Sequence, residues 1–145
     1  MPDELPIFLD TGYVYALVNS RDEWHTQALL WEKKLASTRR RLITTQLVLV
    51  EIGDGLAAIK FRARAIQEIA ALKSSPFVEV VPVSSALLDH ALTLYSQRND
   101  KDWGATDCVS FIVMRERGLL DALAVDEHFQ QAGFRALLKL TPDQS

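Results

Sequence analysis

Short apolar runs alternate with longer stretches of helical periodicity along the chain. Between the runs, apolar residues recur at spacings of three and four, which is typical of one helix face. The clearest such series is Trp24, Ala28, Trp31 and Leu35. Strands separated by helices favour a mainly parallel sheet with both faces covered, so the pattern predicts an α/β sandwich. The five runs predicted to be strands are residues 7–10, 41–45, 77–83, 122–126 and 135–140.

Residues that favour helix ends mark several boundaries. Ser84 and Ser85 precede one predicted helix, where a serine hydroxyl can cap the first free N–H groups. Gly118 and Gly133 follow two other predicted helices, and glycine is common just after a helix. After the second strand we expect two helices, separated by a break near Lys60.

Length and composition predict one globular domain spanning residues 1–145. The chain is 48% hydrophobic and 24% charged, and a domain of this size buries roughly 68–70% of its unfolded surface. The first residues, MPDELP, are acidic, and no apolar stretch approaches the ~20 residues that span a bilayer. We therefore expect a cytoplasmic protein without a membrane segment.

The polar composition excludes some chemistry and leaves other chemistry open. Cys108 is the only cysteine, so an internal disulfide and a Cys-rich structural zinc site are both excluded. The net charge of −3 argues only weakly against a polyanionic partner, because an acidic cluster is neutralised when it holds divalent cations.

The triplet Asp10-Thr11-Gly12 closes the first predicted strand. The same triplet occurs in aspartic proteases, but those enzymes pair two triplets on an all-β scaffold, and this chain is largely helical in pattern. A phosphatase of the haloacid dehalogenase type would need a second Asp where Gly12 stands, and a receiver-type phosphoacceptor would need an acidic pair. Gly12 itself allows a close backbone approach or an unusual turn, or is a simple turn glycine.

Two acids are predicted to end strands that face the same crevice. Asp10 ends the first predicted strand and Asp126 ends the fourth. In open parallel sheets, ligands bind outside the carboxyl ends of the strands, where the strand order reverses. If the fourth strand lies beside the first, both carboxylates reach that position.

Two further acids belong to predicted helices. Asp107 lies in the first turn of the helix 105–117 and shares its face with apolar residues, so a bare charge there is disfavoured unless it is paired or binds a metal. It can alternatively be a helix-dipole acid, with Thr106 as the cap. Glu51 is the first acid after the second strand, and it can equally be an exposed helical residue.

Together these acids form an all-oxygen set without a His or Cys ligand. Such sets suit hard cations, Mg²⁺ or Mn²⁺. Two such ions about 3.5–4 Å apart are the usual arrangement for attack of water on a phosphodiester. The four members are Asp10, Glu51, Asp107 and Asp126.

The chain resembles the PIN domain family, and within it the VapC-type toxin ribonucleases. The resemblance covers almost the whole chain, and its most specific segment is DKDWGATDCVSF. It implies a three-layer α/β/α sandwich with a central, mainly parallel five-stranded sheet, in which the four acids bind Mg²⁺ or Mn²⁺ and the protein hydrolyses RNA. It also implies a homodimer held inactive by a protein antitoxin. The alternative is a noncatalytic module of the same fold that binds RNA or protein.

Roles for the site residues combine the chemistry with this resemblance. Asp10 and Asp107 are expected to hold the main ion, and Glu51 to orient the attacking water or share the ion. Asp126 completes a second metal position or tunes the first through a water. Thr11 is expected to contact a ligand carboxylate or the phosphate, and Thr106 to cap the helix whose N-terminus faces the phosphate.

Basic residues that would contact RNA are harder to identify. Lys60, Arg62 and Arg64 follow the helix that carries Glu51 and are the preferred candidates, whereas residues 39–41 are arginines at the opposite end of a strand. The histidines are expected to be structural or surface residues; they are His25, His90 and His128. Apolar helical faces additionally suggest a partner helix or a second subunit.

Overall fold

Five parallel strands form the centre of the protein, which is described for residues 4–144 in a computed structural model. The strands are β1 (Ile7–Leu9), β2 (Leu42–Thr45), β3 (Val78–Val81), β4 (Asp121–Leu123) and β5 (Arg135–Ala136). Their order across the sheet is β3-β2-β1-β4-β5, and all four pairings are parallel. The predicted five-stranded sheet is confirmed.

Seven helices cover the sheet. They are α1 (Thr11–Val18), α2 (His25–Thr38), α3 (Gln46–Gly55), α4 (Ile59–Ser74), α5 (Ser85–Gln97), α6 (Ala105–Glu116) and α7 (Glu127–Gln131). The crossovers from β1 to β2 and from β2 to β3 run in one direction, and those to β4 and β5 run in the other. Because parallel crossovers are right-handed, α1–α4 cover one face and α5–α7 cover the other. The fold is therefore a three-layer α/β/α sandwich.

The core lies between the sheet and these two helical layers. All three residues of β1 are buried, as expected for a central strand covered on both faces. On the α5–α7 side, Phe111 packs edge to face against Trp103 and Phe129, with ring centroids 4.9 and 5.0 Å apart. This aromatic group lies between the start of α6 and α7, so it supports the elements that carry the candidate site.

The predicted helix ends are largely confirmed. Ser84 is the N-cap of α5, and its hydroxyl accepts a hydrogen bond from the backbone N–H of Leu87 at 3.1 Å. Gly118 and Gly133 have φ values of +64° and +98°, in the left-handed region that favours glycine.

Some predicted strand ends are wrong. The fourth strand ends at Leu123 rather than at 126, because Asp126 turns away to cap α7. The fifth strand stops at Ala136, and the apolar residues after it are buried by a 3₁₀ turn, Leu137–Lys139, instead. The predicted break near Lys60 is present, since residues 56–58 separate α3 from α4.

The topology creates one crevice at the carboxyl end of the sheet. The chain leaves β1 toward β2 on one side, and β4 later pairs with β1 on the other side, with Phe8 opposite Ala122. Strand order reverses between β1 and β4, which is where open parallel sheets bind ligands. Within residues 4–144, no helix has the length and apolar character needed to cross a membrane.

Candidate active site

Asp10 follows β1 and lies at the centre of this crevice. Its backbone N–H donates to the carbonyl oxygen of Leu123 at the end of β4, and its side chain is only 9% exposed. Burial raises the pKa of the Asp10 carboxyl to about 8, and the nearby acids add to the rise. A hydrogen bond from the backbone N–H of Thr11 acts in the opposite direction. A carboxyl group in these surroundings favours either a proton or a bound cation.

Glu51 reaches the same crevice from the middle of α3. Thr45 caps this helix, since its hydroxyl accepts from the N–H of Val48 at 3.3 Å. The hydroxyl of Thr11 donates to Oε1 of Glu51 at 3.2 Å, and Thr106 also hydrogen-bonds the carboxylate. Burial raises the pKa of Glu51 in spite of these two hydrogen bonds, and repulsion from Asp107 contributes to the rise. Thr11 therefore contacts one of the four predicted acids, and its role at the site stays a prediction.

A second contact fixes the backbone of α3 at Glu51. The hydroxyl of Tyr15, on α1, donates to the carbonyl oxygen of Glu51 at 2.7 Å. The Tyr15 ring lies so close to Gly55 that a Cβ at that position would overlap its hydroxyl and ring atoms. A glycine is therefore required at position 55 for α1 and α3 to approach each other in this way.

Asp107 lies in the first turn of α6. Gly104 is the N-cap of this helix, and Oδ2 of Asp107 accepts from the backbone N–H of Gly104 at 3.0 Å. The prediction that Thr106 caps the helix is wrong, because Thr106 lies inside the first turn and its side chain hydrogen-bonds Glu51. Asp107 thus combines the capping role weighed from the sequence with a place in the acidic cluster.

Asp126 and His128 come from the start of α7. Oδ1 of Asp126 caps the helix by accepting from the backbone N–H of His128 at 3.0 Å. The His128 ring lies between two acids, with Nδ1 3.0 Å from Oδ2 of Asp107 and 3.2 Å from Oδ1 of Asp126. Donor atoms of these three residues all lie within 4.8 Å of one another.

His128 is a site neighbour that the sequence did not predict, since its ring contacts both Asp107 and Asp126. The expectation that His128 is a structural or surface residue is therefore wrong. No local pattern places His128 at the site, because its position depends on how α7 packs against the start of α6. The other two histidines fit their predicted roles: Nδ1 of His25 lies 2.6 Å from the carbonyl oxygen of Ala16, and His90 is exposed.

Other predicted contacts have mixed outcomes. Lys60, Arg62 and Arg64 lie in the first turns of α4, where Arg62 donates to the carbonyl oxygen of Ala57 and Arg64 pairs with Glu68. Their role in RNA binding stays a prediction. Gly12 lies within α1 and has no positive φ, so the expectation of an unusual turn is wrong.

The residues present fit a divalent cation. Electrostatic repulsion from Glu51, Asp107 and Asp126 reaches Asp10, so all four predicted acids converge at one place. Among the residues that the structure describes, no ion pair joins a Lys or Arg to any of the four acids. Several carboxylates without a cationic side chain need another source of positive charge, and carboxylate-rich sets suit Mg²⁺ and Mn²⁺.

A mainly parallel sandwich with acids that converge at the β1–β4 switch point defines a class of protein. Residues 7–135 match the PIN domain family, and the chain belongs to this family. The resemblance inferred from the sequence is therefore confirmed. The chain is 33% identical over 131 residues to the 23S rRNA-specific endonuclease VapC20 of Mycobacterium tuberculosis, strains H37Rv and CDC 1551. That alignment covers 88% of this chain and 95% of VapC20.

A solved structure gives the same result. The crystal structure of Mycobacterium tuberculosis VapC20, described as a sarcin-ricin loop cleaving toxin, matches with a TM-score of 0.78 at 30% sequence identity. The match covers 90% of this chain and 98% of the VapC20 chain.

Proposed function

We propose that this protein is a metal-dependent endoribonuclease that hydrolyses RNA phosphodiester bonds. The observation that carries the proposal is the convergence of four acids on a partly buried crevice, with Asp10 at its centre and without a Lys or Arg partner among the described ion pairs. Membership of the PIN domain family and the activity of the similar VapC20 support the same class of reaction.

The four acids hold the cation, Mg²⁺ or Mn²⁺. Bound there, the cation supplies positive charge against the phosphate and makes water a better nucleophile near neutral pH. Asp10 and Asp107 would be its main ligands, and Asp126 would complete the set from α7. Glu51 is held by hydrogen bonds to Thr11 and Thr106, so its carboxylate is oriented toward the crevice.

The substrate proposed is the sarcin-ricin loop of 23S rRNA. This choice rests on what the similar VapC20 proteins are described as cleaving. The charge balance of the chain is compatible with it: without the four acids, the remaining acidic side chains nearly balance the 16 Lys and Arg residues. Lys60, Arg62 and Arg64 are the basic residues proposed to contact the RNA.

We further propose that the protein acts in the cytoplasm as the toxin of a toxin–antitoxin pair and forms a homodimer. The support in the structure is apolar surface on α3 and α4, where Val50, Ile59 and Ile66 are 56%, 93% and 62% exposed. Such surface is normally covered by a partner. Light scattering of the purified chain tests the dimer, and co-purification with the product of a neighbouring short gene tests the antitoxin.

The nuclease activity is tested with intact ribosomes and with a 23S rRNA fragment that contains the loop, each incubated with Mg²⁺ or Mn²⁺. Primer extension then locates the cut. Asp10→Asn and Asp107→Asn are expected to lower the cleavage rate by at least about a thousandfold, as the loss of a catalytic metal ligand does. Asp89→Asn is the matched control, because Asp89 is an exposed acid on α5, outside the cluster.

Cleavage that survives EDTA, or that survives both substitutions in the cluster, contradicts the proposal. Absence of cleavage together with absence of thermal stabilisation by millimolar Mn²⁺ supports the alternative, a noncatalytic module that binds RNA or protein. If the protein cleaves an unrelated RNA but not the sarcin-ricin loop, the proposed reaction class stands and the proposed substrate is wrong.

A further inference from the structure

The ring of His128 bridges two acids that belong to different helices. Nδ1 of His128 lies 3.0 Å from Oδ2 of Asp107, in the first turn of α6, and 3.2 Å from Oδ1 of Asp126, the N-cap of α7. The ring is mostly shielded, with 19% of its side-chain surface exposed. A single nitrogen therefore contacts the last two of the four acids in the cluster.

The oxygens that face this nitrogen are already engaged by the backbone. Oδ2 of Asp107 accepts from the N–H of Gly104, and Oδ1 of Asp126 accepts from the N–H of His128, each at 3.0 Å. Because carboxylate oxygens are acceptors, Nδ1 carries the ring proton and donates to both. Each carboxylate is thus fixed through one oxygen, and its other oxygen remains for a ligand.

The position of α7 does not depend on His128 alone. Phe129 is fully buried, and its ring packs against Phe111 and Phe8, with centroids 5.0 and 6.3 Å away. One turn further along α7, Oε1 of Gln131 accepts from Nε1–H of Trp103 at 2.9 Å. These contacts hold α7 against the start of α6, so the bridge from His128 serves the carboxylates rather than the docking of the helix.

We propose that His128 is a positioning residue for the cation site, which fixes the orientation and spacing of Asp107 and Asp126 without itself binding the ion. This inference rests on the proposed function, since it assigns a role at the same metal site. Hydrogen-bond partners of metal ligands typically change metal affinity 10- to 100-fold when they are removed. An effect of that size is expected here.

The test compares His128→Ala with His128→Asn by calorimetric titration of Mn²⁺ into the full chain. The amide nitrogen of asparagine is the same number of bonds from Cα as Nδ1, so it replaces the donor. We expect His128→Ala to weaken Mn²⁺ binding by about 10- to 100-fold and His128→Asn to stay within about threefold of the native chain. Cleavage rates of the two variants are expected to follow the same order.

Gln131→Ala is the matched control for a merely structural role. It removes a different polar contact between α7 and the residues at the start of α6, the hydrogen bond from Trp103. We expect it to lower the melting temperature in EDTA and to leave Mn²⁺ affinity within about threefold of the native value. If Gln131→Ala weakens Mn²⁺ binding as much as His128→Ala does, positioning of the acids by His128 is rejected in favour of general support from α7.

Electron spin echo spectroscopy of the Mn²⁺ complex separates positioning from direct ligation. We expect no coupling between Mn²⁺ and a directly bound imidazole nitrogen. If such coupling is present in the native chain and is lost in His128→Asn, His128 is a ligand and the inference is overturned. Mn²⁺ affinity that is unchanged in His128→Ala also overturns it, while the proposed nuclease survives. A native chain that binds neither Mn²⁺ nor Mg²⁺ overturns the proposed function, and this inference falls with it.

Discussion

Asp10 shows how a residue proposed to hold a cation can be unfavourable for the stability of the metal-free chain. Its side chain is buried, and three other acids raise its pKa further. A carboxyl group whose pKa is higher in the folded state than in the unfolded state destabilises the fold as it ionises. A bound cation removes this cost, so stability is lower where the site is empty.

Replacement of this carboxyl is therefore predicted to stabilise the metal-free protein. Below pH about 4 the group is protonated in both the folded and unfolded states, and there is no penalty. The penalty grows as the pH rises from the usual pKa of 3.8 to the folded value of about 8. We expect Asp10→Asn in EDTA to raise the free energy of unfolding by about 2–4 kcal/mol at pH 8 and by little at pH 4.

Thermal unfolding of both chains across this pH range provides the measurement, and Asp89→Asn controls for the loss of a surface acid. Equal stability of the native chain and Asp10→Asn at pH 8 would show that Asp10 is not desolvated as described.

Gly55 provides a second prediction at the residue scale. A methyl group at this position overlaps Tyr15, whose hydroxyl holds the backbone of Glu51. We expect Gly55→Ala to destabilise the fold by about 1–3 kcal/mol, as overpacking does, and to lower the cleavage rate at least about tenfold.

Gly53→Ala is the control, because it lies in the same helix and a Cβ there meets nothing within 4 Å. It is expected to stabilise the chain by about 0.5–1 kcal/mol without a change in cleavage. Similar effects of the two alanines, measured by denaturant unfolding and by cleavage assay, would refute the role assigned to the Tyr15–Gly55 contact.

At the scale of whole elements, the boundaries that were predicted correctly are mostly those fixed by residues close to the helix end. The Ser84 cap and the glycines after α6 and α7 act within a few residues of the helix end, so they are visible in the sequence. The end of β4 and the short β5 were missed because they depend on tertiary contacts. One is the hydrogen bond from the N–H of Leu138 to the carbonyl oxygen of Ala124, which fixes the turn after β5.

The cap of α5 gives a prediction that separates stability from activity. Ser84→Ala removes the acceptor for the Leu87 N–H and is expected to cost about 1 kcal/mol of stability. Ser85→Ala, one residue later in the first turn, is expected to cost much less because Ser85 is not the cap. Cleavage should be the same in both variants at a temperature where they are folded, since α5 carries none of the acids; a selective loss in Ser84→Ala would contradict this.

At the scale of the molecule, the sequence predicted the sandwich and the four acids but not their arrangement. Strand-end and helix-start acids are visible in the pattern because the topology brings them to one edge. The place of His128 was not visible, since it depends on how α7 packs against the start of α6. That packing comes from Phe129 and from the Trp103–Gln131 hydrogen bond, which join segments distant in sequence.

Cation binding is expected to stabilise the whole fold, because the site draws on both halves of the chain. A ligand that binds only the folded state adds about 2.7 kcal/mol at a concentration 100 times its Kd. We predict that Mn²⁺ raises the melting temperature of the native chain by several degrees, that EDTA reverses the shift, and that Asp107→Asn removes it. A shift of equal size in Asp107→Asn would place the stabilising ion elsewhere.

The pairing of β4 with β1 also has a consequence for synthesis of the chain. Phe8 lies opposite Ala122 in the sheet. β1 therefore cannot pair with β4 until more than a hundred further residues have been translated. Contacts between such distant segments close late and slow folding, because loop-closure entropy must be overcome first. The crevice therefore lacks β4 and Asp126 until nearly the whole domain has left the ribosome. Before that point it can contain only the three earlier acids, Asp10, Glu51 and Asp107. The crevice is therefore completed only near the end of translation.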